Sequence, residues 1–240
     1  NKIVADQISR RVDSVFKDAN ETVIGFLENS YFMRWVENTG DMYNAGKVCD
    51  ELQRHGRSDS FNVSFKPNAN DLVASAGGTY RFDYYLKHHK FEVIENAEIE
   101  KRLSDGSGSV FLDSEEYLLE IKKYTLKKAE TIFCLKLYNK DELFRRLGED
   151  NTKVILLKNS QLISKIGDFE EKELSELCEK EDEHFDYAGY SVYRVSLADK
   201  SFDFIYCVPK SSLDTISRNT NMNAVLIGCI FGVLGLVLVF

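Results

Sequence analysis

The chain has 240 residues, 43% hydrophobic and 29% charged, with two prolines, Pro67 and Pro209; this suits one large or two small packed domains and excludes a disordered or linker-dominated chain. The formal net charge of −8 resides in residues 168–186, where ten acidic side chains meet two basic ones. The remainder is balanced and has no basic stripe of the kind that binds nucleic-acid phosphates.

The predicted elements begin with a long helix. Val4, Ile8, Val12, Val15, Ala19, Val23 and Phe26 recur at steps of three and four, the spacing of one buried helical stripe over roughly 25 residues or ~37 Å. Residues 41–56 follow as a shorter helix, with Asp41 at the N-cap and Gly56 at the C-cap. From there the periodicity turns to strands. Residues 61–78 read as strand, polar turn and strand, and residues 152–167 repeat that pattern. Between the copies lie a helical stretch, "IENAEIEKRL", and three strands around "GSVFLDS", "YLLEIKKYTL" and "AETIFCLKLY". A helix over residues 139–149, opened by Asn139 and closed by Gly148, joins them.

After the second copy comes the acidic segment. Leu174, Leu177 and Cys178 stand at i, i+3 and i+4, so it reads as a helix with one buried stripe and solvated acidic faces; no EF-hand spacing of oxygen ligands is present. A hairpin then turns at Asp199 and Lys200, with Tyr193, Val195 and Leu197 alternating along its first strand. From Met222 to Phe240 runs an uncharged stretch of 19 residues, close to the roughly 20 that cross a bilayer as a helix, and we expect a truncated transmembrane segment there. Gly228 and Gly232 within it form a GxxxG pair.

The cysteines, Cys49, Cys134, Cys178, Cys207 and Cys229, include no CxxC pair and stand near no histidine cluster, so buried free thiols are expected and no metal or cofactor. Two triplets, Asn20-Glu-Thr22 and Asn62-Val-Ser64, match the glycosylation pattern, the second in a predicted strand.

A long N-terminal helix, two consecutive units of strand, turn, strand, helix and strand, and a passage into a membrane helix after "IYCVPKSS" resemble the double Cache (PAS-like) extracytoplasmic sensor family. The resemblance covers essentially the whole chain and rests on the order of elements. "KNSQLIS", residues 158–164, is similar to a turn of PAS-like folds, with Ser160 or Gln161 where those folds carry glycine. The fold class expected is α+β: residues 1–40 as the long helix, 41–138 as a membrane-distal PAS-like subdomain, 139–212 as the connecting helix and proximal subdomain, and 213–240 as juxtamembrane segment and membrane helix. The resemblance implies the sensing domain of a bacterial membrane receptor, a histidine kinase or an AraC-type regulator, with residues 1–220 outside the cell. It also implies a small-molecule ligand of the amino acid, carboxylate or amine class in the distal subdomain, and a homodimer paired through the N-terminal and membrane helices. A surface protein as partner, on a membrane-anchored binding protein without signalling output, is the alternative.

Within the distal unit, "TYRFDYYLKHHKF", residues 79–91, mixes aromatic and polar groups most densely, as small-ligand sites do. Arg81 is suited to clamp a carboxylate and Asp83 to take an ammonium, with Tyr80, Tyr84 and Tyr85 as walls and Asp113 as a further polar contact. The competing reading is that the rings fill the core while Arg81 and Asp83 are solvated. His88 and His89, placed on a strand, point to opposite faces and read as surface residues. Like His55 and His184, they also fall in contexts of helix ends and loops. No GxSxG, HExxH, P-loop or dinucleotide turn is present, so this portion carries no catalytic motif.

Overall fold

The computed structural model describes residues 2–126, 130–144 and 152–212. Its first element, α1, is the helix Lys2–Leu27, and its buried positions Ala5, Ile8, Val12, Val15, Ala19, Val23 and Phe26 form the stripe expected from the spacing. The chain breaks at Asn29, whose side chain accepts from the amides of Tyr31 and Phe32 at 2.9 and 3.1 Å and starts α2, Ser30–Glu37. Residues 1–40 therefore hold two helices, the long one ending at Leu27. Asp41 caps α3, Met42–His55, by accepting from Tyr43 and Asn44, and Gly56 stands at its C-cap. Such a cap contributes about 1 kcal/mol.

Two antiparallel sheets follow. The first contains β1 (Phe61–Pro67), β2 (Leu72–Ser75), β3 (Gly78–Arg81), β4 (Val110–Asp113), β5 (Tyr117–Thr125) and β6 (Thr131–Asn139), in the order β3-β2-β1-β6-β5-β4. The second contains β7 (Lys153–Lys158), β8 (Gln161–Ile166), β9 (His184–Tyr187), β10 (Tyr190–Ser196) and β11 (Phe202–Pro209), in the order β8-β7-β11-β10-β9. Without β3 the two orders coincide: in each sheet the first strand pairs with the last and carries its hairpin partner on the other side. The hairpin of β7 and β8 turns on Asn159 and Ser160, both left-handed at φ 49 and 63, which asparagine tolerates better than most residues.

Helices fill the long connections. In the first sheet α4 (Phe82–His88), α5 (Asn96–Arg102) and a π-helical turn (Leu103–Ser107) lead from β3 to β4. A short α6, Lys140–Leu143, follows β6 and is opened by Asn139, which accepts from Glu142 N. In the second sheet α7, Glu171–Glu179, buries Leu177 while Leu174 and Cys178 pack beside it.

The first helix is the shared spine. One core runs beneath it and draws Phe61, Val63, Phe65 and Cys134 from the first sheet and Val154, Leu156, Phe204 and Val208 from the second. Because strand side chains alternate, each sheet turns a second face away. A separate core around Phe82, Leu86, Phe91, Ile99 and Phe133 covers that face of the first sheet, and another around Leu177, Ile205 and Cys207 covers it in the second.

Two local expectations are corrected. The segment from Thr79 to Phe91 divides into β3 and α4, because Phe82, Tyr85 and Leu86 occupy i, i+3 and i+4 and are buried together. His88 and His89 stand at a helix end, as their context suggested, and not on a strand; their rings are 4.9 Å apart and His89 is half-buried rather than a surface residue. His184 begins β9, where its Nε2 lies 2.9 Å from the Ser191 hydroxyl and its ring stacks on Tyr193. Among the described residues no helix is long and apolar enough to cross a membrane. The expected membrane segment 222–240, its GxxxG pair, Cys229 and the closing part of the helix at 139–149 lie outside the described residues.

Candidate ligand-binding groove

A groove of about 280 Å³ opens at one end of the face of the first sheet that is turned away from α1. Its floor comes from Asn62 on β1 and Leu137 on β6, one rim from the β2–β3 turn at Ser75–Gly77, and the other from α4. Neighbouring positions on that face are closed. Lys66 is fully buried there, donates to the Asn70 carbonyl at 2.8 Å, and lies 5.4 and 5.5 Å over the rings of Phe82 and Phe133. Burial lowers its pKa, with Asp71 opposing.

Aromatic rings make the walls. Tyr80 on β3 and Tyr84 on α4 stack at 6.0 Å, and Tyr84 stacks in turn on His88 at 6.1 Å, since residues four apart share a helix face. Behind them a second ladder runs through Tyr85, His89 and Tyr117, with edge contacts of 4.9 and 5.2 Å. Tyr85 is buried, its hydroxyl meets Ser64 Oγ at 3.4 Å, and burial pushes its pKa up to about 12. Burial, with His88 adding to it, brings His89 down to about 4, so at neutral pH that ring is an uncharged wall. The Tyr80 hydroxyl donates to the Gly77 carbonyl at 2.7 Å and ties the turn to the stack.

The groove's electrostatics are one-sided. Arg57 stands at its edge, and among the described residues no carboxylate side chain lines it. A ligand with a flat or aliphatic body and a carboxylate head finds ring faces, a guanidinium and the Asn62 amide; an ammonium head would meet no anionic partner.

The structure brings Tyr80, Tyr84 and Tyr85 together here and places the other three residues elsewhere. Arg81 and Asp83 are bonded to one another, Nε to Oδ1 at 3.2 Å, on the exposed approach to α4, and neither lines the groove. Asp113 lies at the junction of the two sheets, where its Oδ1 accepts from Lys140 Nζ at 3.0 Å and from Ser164 Oγ at 2.7 Å. Sequence reasoning missed Arg57, Asn62 and the turn at Ser75–Gly77. Only the Tyr84 and His88 pair carried a signal, their i, i+4 spacing, and that required α4 to be known.

No protein-family model and no curated protein matches the chain. Among solved structures it is similar to an extracellular ligand binding receptor from Desulfohalobium retbaense, at 11% identity and TM-score 0.53, covering 85% of this chain and 39% of that one. It is also similar to the extracellular domain of soHK1S-Z6, a protein described as a histidine kinase, at 12% identity and TM-score 0.51, covering 87% of this chain and 92% of that one. The long helix, the paired antiparallel sheets of repeated strand order and these likenesses converge: the chain shares the fold of these extracellular receptor domains, as its order of elements led us to expect.

Proposed function

We propose that this chain is the extracytoplasmic sensing domain of a membrane-bound bacterial receptor, and that the groove beside Tyr80 and Tyr84 takes a small carboxylate. The observation carrying the ligand class is the groove itself: stacked rings, Arg57 and Asn62, with no acidic side chain among the described residues to receive an amine. In this reading the first sheet is the membrane-distal unit and the second the proximal one, and the output is a signalling module such as a histidine kinase or an AraC-type regulator.

A ligand shifts a receptor only by its differential affinity for two conformations. Closure of α4 over the groove would pull on β1, whose opposite face packs beneath α1, so the step reaches the helix that both sheets share. A homodimer paired along α1 belongs to the same reading, supported by Ile3 and Ile24, which are exposed on that helix. Sedimentation velocity that finds only monomer at high concentration would remove it.

The testing experiment is a thermal-shift screen of carboxylates, amino acids, amines, nucleobases and sugars. A bound carboxylate at 100 times its dissociation constant should stabilise the protein by about 2.7 kcal/mol, and Tyr84→Ala or Arg57→Ala should remove that shift. A response to amines without carboxylates, or a shift that survives both substitutions, contradicts the assignment.

A further inference from the structure

Where the sheets meet, β4 of the first runs beside β8 of the second, and a cavity of about 590 Å³ opens between them. Another, of about 630 Å³, lies under α1 between the same two sheets, and Lys158 and Ser109 line both. Lys158 ends β7, and Ser109 immediately precedes β4. The Lys158 ammonium donates to Ser109 Oγ at 2.5 Å and sits between the rings of Phe111 and Phe202, at 5.1 and 5.4 Å. It is thus a cation held in place by groups from both sheets. Burial lowers its pKa, with Glu120 and Asp199 opposing.

The surroundings favour an anion. Lys158 and Lys165 line the first cavity together with Arg102, whose Nε is paired with Glu98 at 2.9 Å, against Asp105 and Asp113, and the Asp113 carboxylate is already bonded to Lys140 and Ser164. The left-handed pair Asn159 and Ser160 turns the chain tightly enough to set Gln161 directly across from Lys158. Opposite it, the end of α5 and the π-helical turn bring Arg102 and Asp105 to the cavity. Such π-helical turns are rare and concentrate at functional sites.

We propose that this junction is a second ligand site, separate from the groove, which takes a small anion bearing a carboxylate or phosphate group on Lys158. A ligand there spans β4 and the β7–β8 turn, and so sets how the two sheets sit against each other.

Calorimetric titration with succinate and with inorganic phosphate tests this. With the groove silenced by Arg57→Ala, saturable binding of either probe is expected to remain, and to weaken at least tenfold when Lys158→Met is added, whose aliphatic stem still fills the space between the rings. Succinate alone would identify the head group as a carboxylate, and phosphate alone as a phosphate. The proposal is overturned if neither probe binds the Arg57→Ala protein, which would assign any anion binding of the wild type to the groove, or if adding Lys158→Met to Arg57→Ala leaves binding unchanged. Should Lys158→Met fail to fold by circular dichroism, the double variant Arg102→Gln/Lys165→Gln replaces it. Weakened binding in that variant supports the junction, and unchanged binding overturns it.

Discussion

Lys136 and Glu120 are direct partners across β6 and β5, and their side chains meet at 2.5 Å in a nearly dry position beneath α1, 1% and 11% exposed. Asn20 on α1 accepts from the same ammonium at 2.6 Å, and the Tyr138 hydroxyl donates to Glu120 at 3.2 Å. A buried pair of this kind is weak evidence of net stability, yet removing one partner strands the other. Lys136→Met should therefore destabilise the fold by about 3–5 kcal/mol in urea denaturation, and adding Glu120→Leu should restore most of the loss. If the double variant is as unstable as the single one, the stranded charge is not the cause.

At the rim of the groove, a Cβ on Gly77 would stand 2.6 Å from the Tyr80 hydroxyl. The hydroxyl is the far end of a side chain and can yield, so Gly77→Ala should cost less than about 1 kcal/mol of stability while displacing the first ring of the stack. Ligand affinity should fall at least tenfold, and Tyr80→Phe, which loses the bond to the Gly77 carbonyl, should fall in the same direction. Unaltered affinity in both variants would separate Tyr80 from binding.

His89 makes stability depend on pH. Its pKa is 6.5 when unperturbed and about 4 in the fold, so between those values the unfolded chain binds the extra proton. The stability it contributes is complete above about pH 6.5 and is lost as pH falls toward 4, a loss of about 2 kcal/mol for a half-buried ring. His89→Phe keeps the ring and removes the proton site. Its stability relative to wild type should therefore rise as pH drops from 7 to 4.5 in paired urea titrations; a constant difference would show that His89 titrates normally.

Lys140 joins the sheets from α6. Its buried ammonium donates to Asp113 Oδ1 at 3.0 Å and to the carbonyls of Ser114 and Lys165, both at 2.9 Å. Lys140→Met leaves those acceptors without their donor and should cost about 3 kcal/mol. Hydrogen exchange should quicken in β4 and β8 before it does in the sheet centres; uniform quickening would mean that the joint does not separate by itself.

The spacing of Val4, Ile8, Val12, Val15, Ala19, Val23 and Phe26 and the caps Asp41 and Gly56 were legible because they are local: a helix stripe and a cap are set by residues within four positions of one another. The same locality exposed the repeated hairpins and the turn at Asp199, and their order was enough to point to the architecture. It did not divide Thr79–Phe91 into β3 and α4, because aromatic, charged and histidine residues in close mixture satisfy a strand pattern and a helix pattern alike, and burial of Phe82, Tyr85 and Leu86 decided between them.

The sequence by itself thus determined which residues become helices and hairpins along most of the chain, and in what order. Only the tertiary structure decided that Arg81 pairs with Asp83, that Arg57 and Asn62 join the tyrosines, and that Lys66, Lys136 and Lys140 are buried. The reason is sequence distance: Lys136 reaches Asn20 across 116 positions and Ser164 reaches Asp113 across 51. Nothing in the neighbours of a lysine distinguishes a solvated one from one whose partner the fold delivers from elsewhere in the chain.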